Sequence, residues 1–203
     1  MPERYSTSSQ IQVVVLAAGA SDRFGSPKQL ARFRDQCLVR RATIAAQELA
    51  GSKVTVVLGA HSRLVEGELL DFGVRMVLNA NWRDGLASSV RQGMITVPPA
   101  TVAVLLMGID MPLLDAQFLG EIVEEWSRDR SKILFCQSDR GAGLPAIVPR
   151  RYFKSLMSIK GDPGISSFFA RHQQMSIIIE RKLVQCDIDT PEDLEKIERA
   201  LGA

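Results

Sequence analysis

Cysteine is scarce in this chain: three in 203 residues, at Cys37, Cys136 and Cys186, widely spaced and odd in number. No CxxC pair or Cys/His spacing of a zinc site occurs, and a disulfide framework is implausible at this length. Each cysteine stands in or beside an apolar run, so all three read as reduced, buried thiols. Histidine is scarcer still, with only His61 and His172. Neither fits a triad, and both read as surface or capping residues, although His61 lies near a strand end. An excess of one charge is missing too: 25 Lys and Arg against 23 Asp and Glu leave a formal net charge of +2. The basic residues are scattered, which gives no electrostatic basis for binding nucleic acid or an anionic membrane. No run approaches the ~20 apolar residues of a membrane helix. The opening MPERYSTSSQ lacks the apolar stretch of a signal peptide. A soluble, cytoplasmic protein is expected.

What is present is a hydrophobic content of 46%, enough for a full core. Residues 1–10 read as a loose tail and 11–203 as one domain, with no internal repeat or low-complexity linker. Short β-branched runs predict strands at 11–18, 54–58, 74–78, 102–107 and 133–136. Amphipathic segments between them predict helices at 38–50, 62–70, 87–95 and 115–127. The runs VVVLAA and VAVLLM are apolar throughout, as strands covered on both faces must be. Such alternation predicts an α/β fold with a parallel sheet between helices. Beyond Cys136 the stretch 139–145 reads as a loop, 146–148 as a short strand and 150–159 as a helix. A Gly/Pro turn (161–164) follows, then a helix at 165–172, apolar runs at 176–179 and 183–186, and a last helix from Pro191. Thr190 is a natural cap for that helix, with Pro191, Glu192 and Asp193 suited to its first turn. Trp126 shares a helix face with Ile122 and Leu119 and is expected in the core.

Three segments carry chemistry. The loop LAAGASDRFGSPKQL (16–30) leaves the first strand and combines Gly19, Arg23, Gly25 and Lys28. Glycines let backbone N–H groups approach phosphate oxygens, and Arg and Lys neutralise their charge. Neither the Walker spacing nor the dinucleotide GxGxxG is present, so phosphate binding stands against an ordinary basic βα turn. Asp110 follows the fourth strand, on the same edge of a parallel sheet; it suits a hard cation such as Mg²⁺, or a turn. Asp187 and Asp189 precede the last helix and share one face if extended. They suit the same cation, or solvent and a helix cap. Trp82 suits either stacking on a ligand or packing under its loop.

Together these segments resemble the molybdenum cofactor nucleotidylyltransferase family, in its cytidylyltransferase branch. The first loop is similar to the family signature LAAGxSxRxGxxKxL. NANWRDGLASSVRQG (79–93), Asp110-Met111-Pro112, KGDPG (160–164) and DIDTPEDL (187–194) follow in the family's order, so the likeness runs from about Val13 to Leu194.

The resemblance implies a three-layer, Rossmann-like nucleotidyltransferase fold with a mostly parallel sheet. Its NTP-binding half would span about 11–112 and its acceptor half about 113–203. It implies transfer of a nucleoside monophosphate from an NTP to a small phosphorylated acceptor, with Mg²⁺ as cofactor and pyrophosphate released. Arg23, Lys28 and Asp110 would be catalytic. Leu16, Ala17, Ala18, Gly19, Ala20, Ser21, Arg23, Gly25, Lys28, Asn79, Ser88 and Ser89 would bind the nucleotide. Asp110, Asp187 and Asp189 would hold the metal, and Gly143, Pro145 and Asp162 the acceptor. Ala18, in place of a second glycine, suggests CTP, and molybdopterin is the acceptor the family implies, with a molybdoenzyme or its maturation factor as protein partner. Three positions depart from the pattern: Leu144 replaces the usual His, Phe24 a Met, and Met111 a Gln. The alternatives are a related nucleotidyltransferase, using GTP with molybdopterin or acting on methylerythritol phosphate or a sugar phosphate, and a non-catalytic cofactor-delivery protein.

Overall fold

The computed structural model describes residues 10–138, 141–161, 164–180 and 187–202. Strand β1 (Ile11–Ala17) is buried along its whole length. A small hairpin, β2 (Arg32–Phe33) and β3 (Gln36–Cys37), leads into helix α1 (Leu38–Ala50). Then come β4 (Val54–Leu58), α2 (Ser62–Gly67), β5 (Arg75–Leu78), α3 (Leu86–Ile95), β6 (Ala103–Gly108) and α4 (Ala116–Ser127). The second half holds β7 (Ile133–Ser138), β8 (Gly141–Pro149), α5 (Phe153–Met157), α6 (Gly164–Arg171), β9 (Ser176–Glu180) and α7 (Pro191–Ala200).

Seven strands form one sheet in the order β5-β4-β1-β6-β8-β7-β9. Pairing is parallel from β5 to β6 and between β7 and β9. Successive side chains of β1 alternate between the two faces. Val13, Val15 and Ala17 join the core with α1 and α4, while Val14 and Leu16 join the core with α3 and α6. This is why the run VVVLA is apolar without a gap: both faces of the strand are covered. Trp126 lies in the first core, 1% exposed, and donates Nε1–H to the Lys132 carbonyl at 2.9 Å. Cys37 and Cys136 are buried, and burial pushes the Cys37 thiol up. Cys186 lies outside the described residues.

Strand β8 corrects the reading of 139–145 as a loop. Its described part, 141–145, continues the strand, pairing antiparallel with Cys136–Ser138 of β7 through Gly141, Ala142 and Gly143. Gly, Ala and Pro are poor strand formers, but a cross-strand partner outweighs propensity. The same strand pairs antiparallel with β6, so the sheet is mostly rather than wholly parallel. The segment expected as one helix at 150–159 is a single 3₁₀ turn (Arg150–Tyr152) followed by α5. Helix α2 stops at Gly67, short of residue 70. Among the described residues no helix is long and apolar enough to cross a membrane.

Candidate active site

The chain leaves β1 toward β4 on one side of the sheet, whereas β6 is followed by strands on the other side. Loops after neighbouring strands that diverge in this way leave a crevice at the carboxyl edge, the usual ligand position in an open α/β sheet. Leu16 pairs in register with Gly108, so the glycine-rich loop and the Asp110 turn start side by side. A cavity of about 820 Å³ opens there. Its walls come from the first loop, Asp110, Ser89 of α3, Gly143 and Leu144 of β8, and Asp187 and Asp189.

The loop keeps its course by local geometry. Ser21 (φ 65°) and Gly25 (φ 74°) are both left-handed, bracketing a 3₁₀ turn at Asp22–Phe24. Gly25 suits that conformation because it has no Cβ to clash. Phe24 is 8% exposed and packs into the core beneath the loop. The site thus accommodates the aromatic ring that stands in place of Met by burying it. A second 3₁₀ turn, Lys28–Leu30, presents Lys28 to the cavity.

Charge gathers at the meeting of loop, strand end and chain return. Ile188 donates its N–H to the Asp110 carbonyl at 2.8 Å, which fixes residues 187–189 beside the turn after β6. Arg23 grips Asp189 with both terminal nitrogens, at 3.0 and 3.1 Å. Lys28 Nζ donates to the Ile188 carbonyl at 2.6 Å and to Asp189 Oδ1 at 3.3 Å, and lies 3.7 Å from Asp110 Oδ2. On the far side of the turn, Arg41 of α1 donates Nε–H and Nη2–H to the Pro112 carbonyl at 3.2 and 2.9 Å. Burial lowers the Arg41 pKa, and the Arg34 charge adds to this.

The structure brings together Leu16 to Ser21, Arg23, Lys28, Ser89, Asp110, Gly143, Asp187 and Asp189, all at the cavity wall. It does not put Gly25, Asn79, Ser88 or Pro145 there. Asn79, 3% exposed, instead works from behind the wall. Its amide donates to Ser88 Oγ at 2.8 Å and Ser89 Oγ at 3.0 Å, while its carbonyl oxygen receives Asn81 N–H at 3.0 Å. Ser88 turns inward, donating to the Asn81 or Gly85 carbonyl, each 2.8 Å away. Asp162 lies outside the described residues. Trp82 packs against the second core, as one of its two readings expects, and also lines the cavity. His61 is left-handed (φ 58°) at the start of α2, and His172 Nδ1 is 2.7 Å from the Phe168 carbonyl at the end of α6. Sequence reading missed Gln29, a fully amide-bonded side chain at 2% exposure. Nothing in its sequence neighbourhood, between Lys28 and Leu30, marks it as buried.

A cation fits this site by the chemistry of its donors. Asp110 is 37% exposed in its side chain and Asp187 shares the cavity, offering the oxygen ligands that a hard divalent ion prefers. Among the described residues no group of three or more His, Cys, Asp or Glu forms a closed cage. Two carboxylates beside a glycine-rich loop match an ion that takes its remaining ligands from substrate and water.

Comparison with known proteins agrees with this architecture. Residues 13–175 match the model of the MobA-like NTP transferase domain. Nicotine blue oxidoreductase of Paenarthrobacter nicotinovorans is 28% identical over 196 residues, covering 92% of each chain. The bifunctional protein GlmU of Chromohalobacter salexigens is 31% identical over 140 residues, 68% of this chain. The match spans only 30% of that relative's length. Among solved structures, Rv0371c of Mycobacterium tuberculosis H37Rv is 28% identical with a TM-score of 0.78, covering 95% of this chain and 99% of its own. Its complex with manganese aligns at 26% identity and a TM-score of 0.75, over 94% of this chain and 99% of that one. The chain belongs to the MobA-like NTP transferase domain family and is, by that membership and its fold, a nucleotidyltransferase.

Proposed function

We propose that this protein transfers a nucleoside monophosphate, CMP from CTP by preference, to a phosphorylated acceptor with the chemistry of molybdopterin. The observation that carries the reading is the convergence of Arg23, Lys28 and Asp110 at one cavity edge, at the crevice where the sheet's strand order diverges. In this reaction an acceptor phosphate oxygen bonds to the α-phosphorus and the bond to pyrophosphate breaks in line. Such transfer asks the protein for position and charge neutralisation rather than a nucleophile. Arg23 and Lys28 neutralise the phosphates, and the backbone N–H groups of the loop orient them. Asp110 with Asp187 would hold Mg²⁺, which supplies charge neutralisation on the phosphates when bound. Asp189 already carries two cations of the protein, and its role is to hold them at the phosphate side. Ala18 at the cavity wall, where a second glycine would leave more room, supports CTP over GTP. Gly143 and Leu144 of β8, at the cavity wall, would face the acceptor.

The test is pyrophosphate release from each of the four NTPs, with molybdopterin and Mg²⁺ or Mn²⁺ present. Release with CTP alone supports the full reading; release with another NTP corrects the nucleotide; none with any NTP removes molybdopterin as the acceptor. A second reading comes from the relative named an oxidoreductase, whose likeness covers 92% of both chains. Redox chemistry in the same cavity would leave every NTP intact.

A further inference from the structure

Four consecutive carbonyls of the phosphate loop are held from behind. Gln29 Nε2 donates to the Ala17 carbonyl at 3.0 Å and to the Gly19 carbonyl at 2.7 Å. Ala60 N–H donates to the Ala18 carbonyl at 3.0 Å. His61 Nε2 stands 3.4 Å from the Ala20 carbonyl. The remaining end of the Gln29 amide is used as well, since Ser21 Oγ donates to its Oε1 at 3.2 Å. Gln29 is 2% exposed, so its own bonds are sheltered from bulk water.

In a trans peptide the N–H of one residue points opposite to the carbonyl of the residue before it. Holding the carbonyls of Ala17, Ala18 and Gly19 therefore aims the N–H groups of Ala18, Gly19 and Ala20 the other way. The N–H groups of Gly19, Ala20 and Ser21 have no acceptor among the described residues. All three residues line the cavity. A row of donors with its acceptors pinned behind it is an anion cradle, and fixed donors cost no reorganisation when the anion arrives.

We infer that Gln29 is a positioning residue for the nucleotide's phosphates: it pins the Ala17 and Gly19 carbonyls so that the loop's N–H groups face the triphosphate. This rests on the nucleotidyltransferase reading of the cavity. Gln29 touches the cavity wall, but both ends of its amide are already bonded within the loop. A side chain of the same length without the amide, such as Met, would fill the space yet release both carbonyls.

The test is Gln29→Met, compared with wild type for inorganic pyrophosphate and CTP binding by calorimetry, at a temperature well below either protein's melting point. Affinity for both should fall by about tenfold or more, the scale of one to two lost buried hydrogen bonds, while the KM for acceptor stays within about twofold. Ser21→Ala, a milder change that removes only the hydroxyl bond to Oε1, should weaken pyrophosphate binding in the same direction by about threefold. It decides the matter if Gln29→Met fails to fold. Unchanged pyrophosphate affinity in the folded variants overturns the inference. So does an equal loss of acceptor and phosphate affinity, which marks general loosening. If wild type itself binds neither pyrophosphate nor any NTP, the cavity assignment fails, and the inference with it.

Discussion

Arg23 and Asp189 lie 166 positions apart in sequence and form a two-point ion pair at 3.0 and 3.1 Å. The partners differ in burial: the Asp189 side chain is 9% exposed and that of Arg23 72%. An inner carboxylate thus holds an outer guanidinium over the cavity mouth, and Lys28 shares the same carboxylate at 3.3 Å. Both cations are placed before any ligand arrives. Arg23→Ala and Lys28→Ala should each lower turnover by about 100-fold, the scale of losing one donor to developing charge. Steady-state pyrophosphate release measures it, and near-normal rates in either variant would remove the phosphate role.

Asp110 differs from Asp189 in having one close cation, Lys28 at 3.7 Å, and a side chain 37% open to the cavity. Its carbonyl, not its carboxylate, makes the structural bond to Ile188. Asp110→Asn should therefore abolish metal-dependent turnover while leaving the melting temperature within a few degrees of wild type. A large fall in melting temperature with activity retained would make Asp110 structural instead.

Much of this was legible in the sequence because local pattern and tertiary position agree. VVVLA is apolar at every position because β1 is covered on both faces, and Thr190-Pro191-Glu192-Asp193 spells a helix start that the structure forms as a capping box. Arg23, Lys28 and Asp110 were legible because they stand in loops at strand ends. What periodicity could not give was partnership. Gly141, Ala142 and Gly143 have no strand propensity of their own and are extended because β7 lies beside them. The family resemblance implied Asn79 and Ser88 as nucleotide contacts, yet their hydrogen bonds run to each other and to nearby backbone. Asp189, in the late acidic pair, read as suited to a cation or a helix cap, and nothing in its neighbourhood in sequence announces its bond to Arg23.

Asn79 offers a test of that distinction. It is 3% exposed and joins β5's end to the first turn of α3 through both serine hydroxyls. Asn79→Ala would leave those hydroxyls and the Asn81 N–H short of a partner, and should cost about 1–3 kcal/mol of stability. Chemical denaturation measures the loss. The KM for NTP should change less than in Lys28→Ala; a reversed order would make Asn79 a ligand contact.

The last helix carries a pH dependence that can be assigned to one carboxylate. Asp193 accepts the N–H of Asp189 at 3.1 Å, that of Thr190 at 2.9 Å and the Thr190 hydroxyl at 3.0 Å. Burial works to raise its pKa, but the hydrogen bonds outweigh it and hold the carboxyl below its ordinary range. A group with a lower pKa in the folded state stabilises fully above its unfolded value, about 3.9 for Asp. That contribution is lost as pH falls from there through the folded value. The stability gap between wild type and Asp193→Asn should therefore be constant from pH 8 to 5 and close below about pH 4. Thr190→Ala instead removes an uncharged cap and should cost about 1 kcal/mol across the neutral range. Melting curves at stepped pH measure both. Because the Asp189 N–H bond is weaker to a neutral amide oxygen than to a carboxylate, Asp193→Asn should also weaken NTP binding at neutral pH, through looser placement of Arg23 and Lys28. A gap that persists unchanged at low pH would show that the carboxylate's charge is not what stabilises this end of the helix.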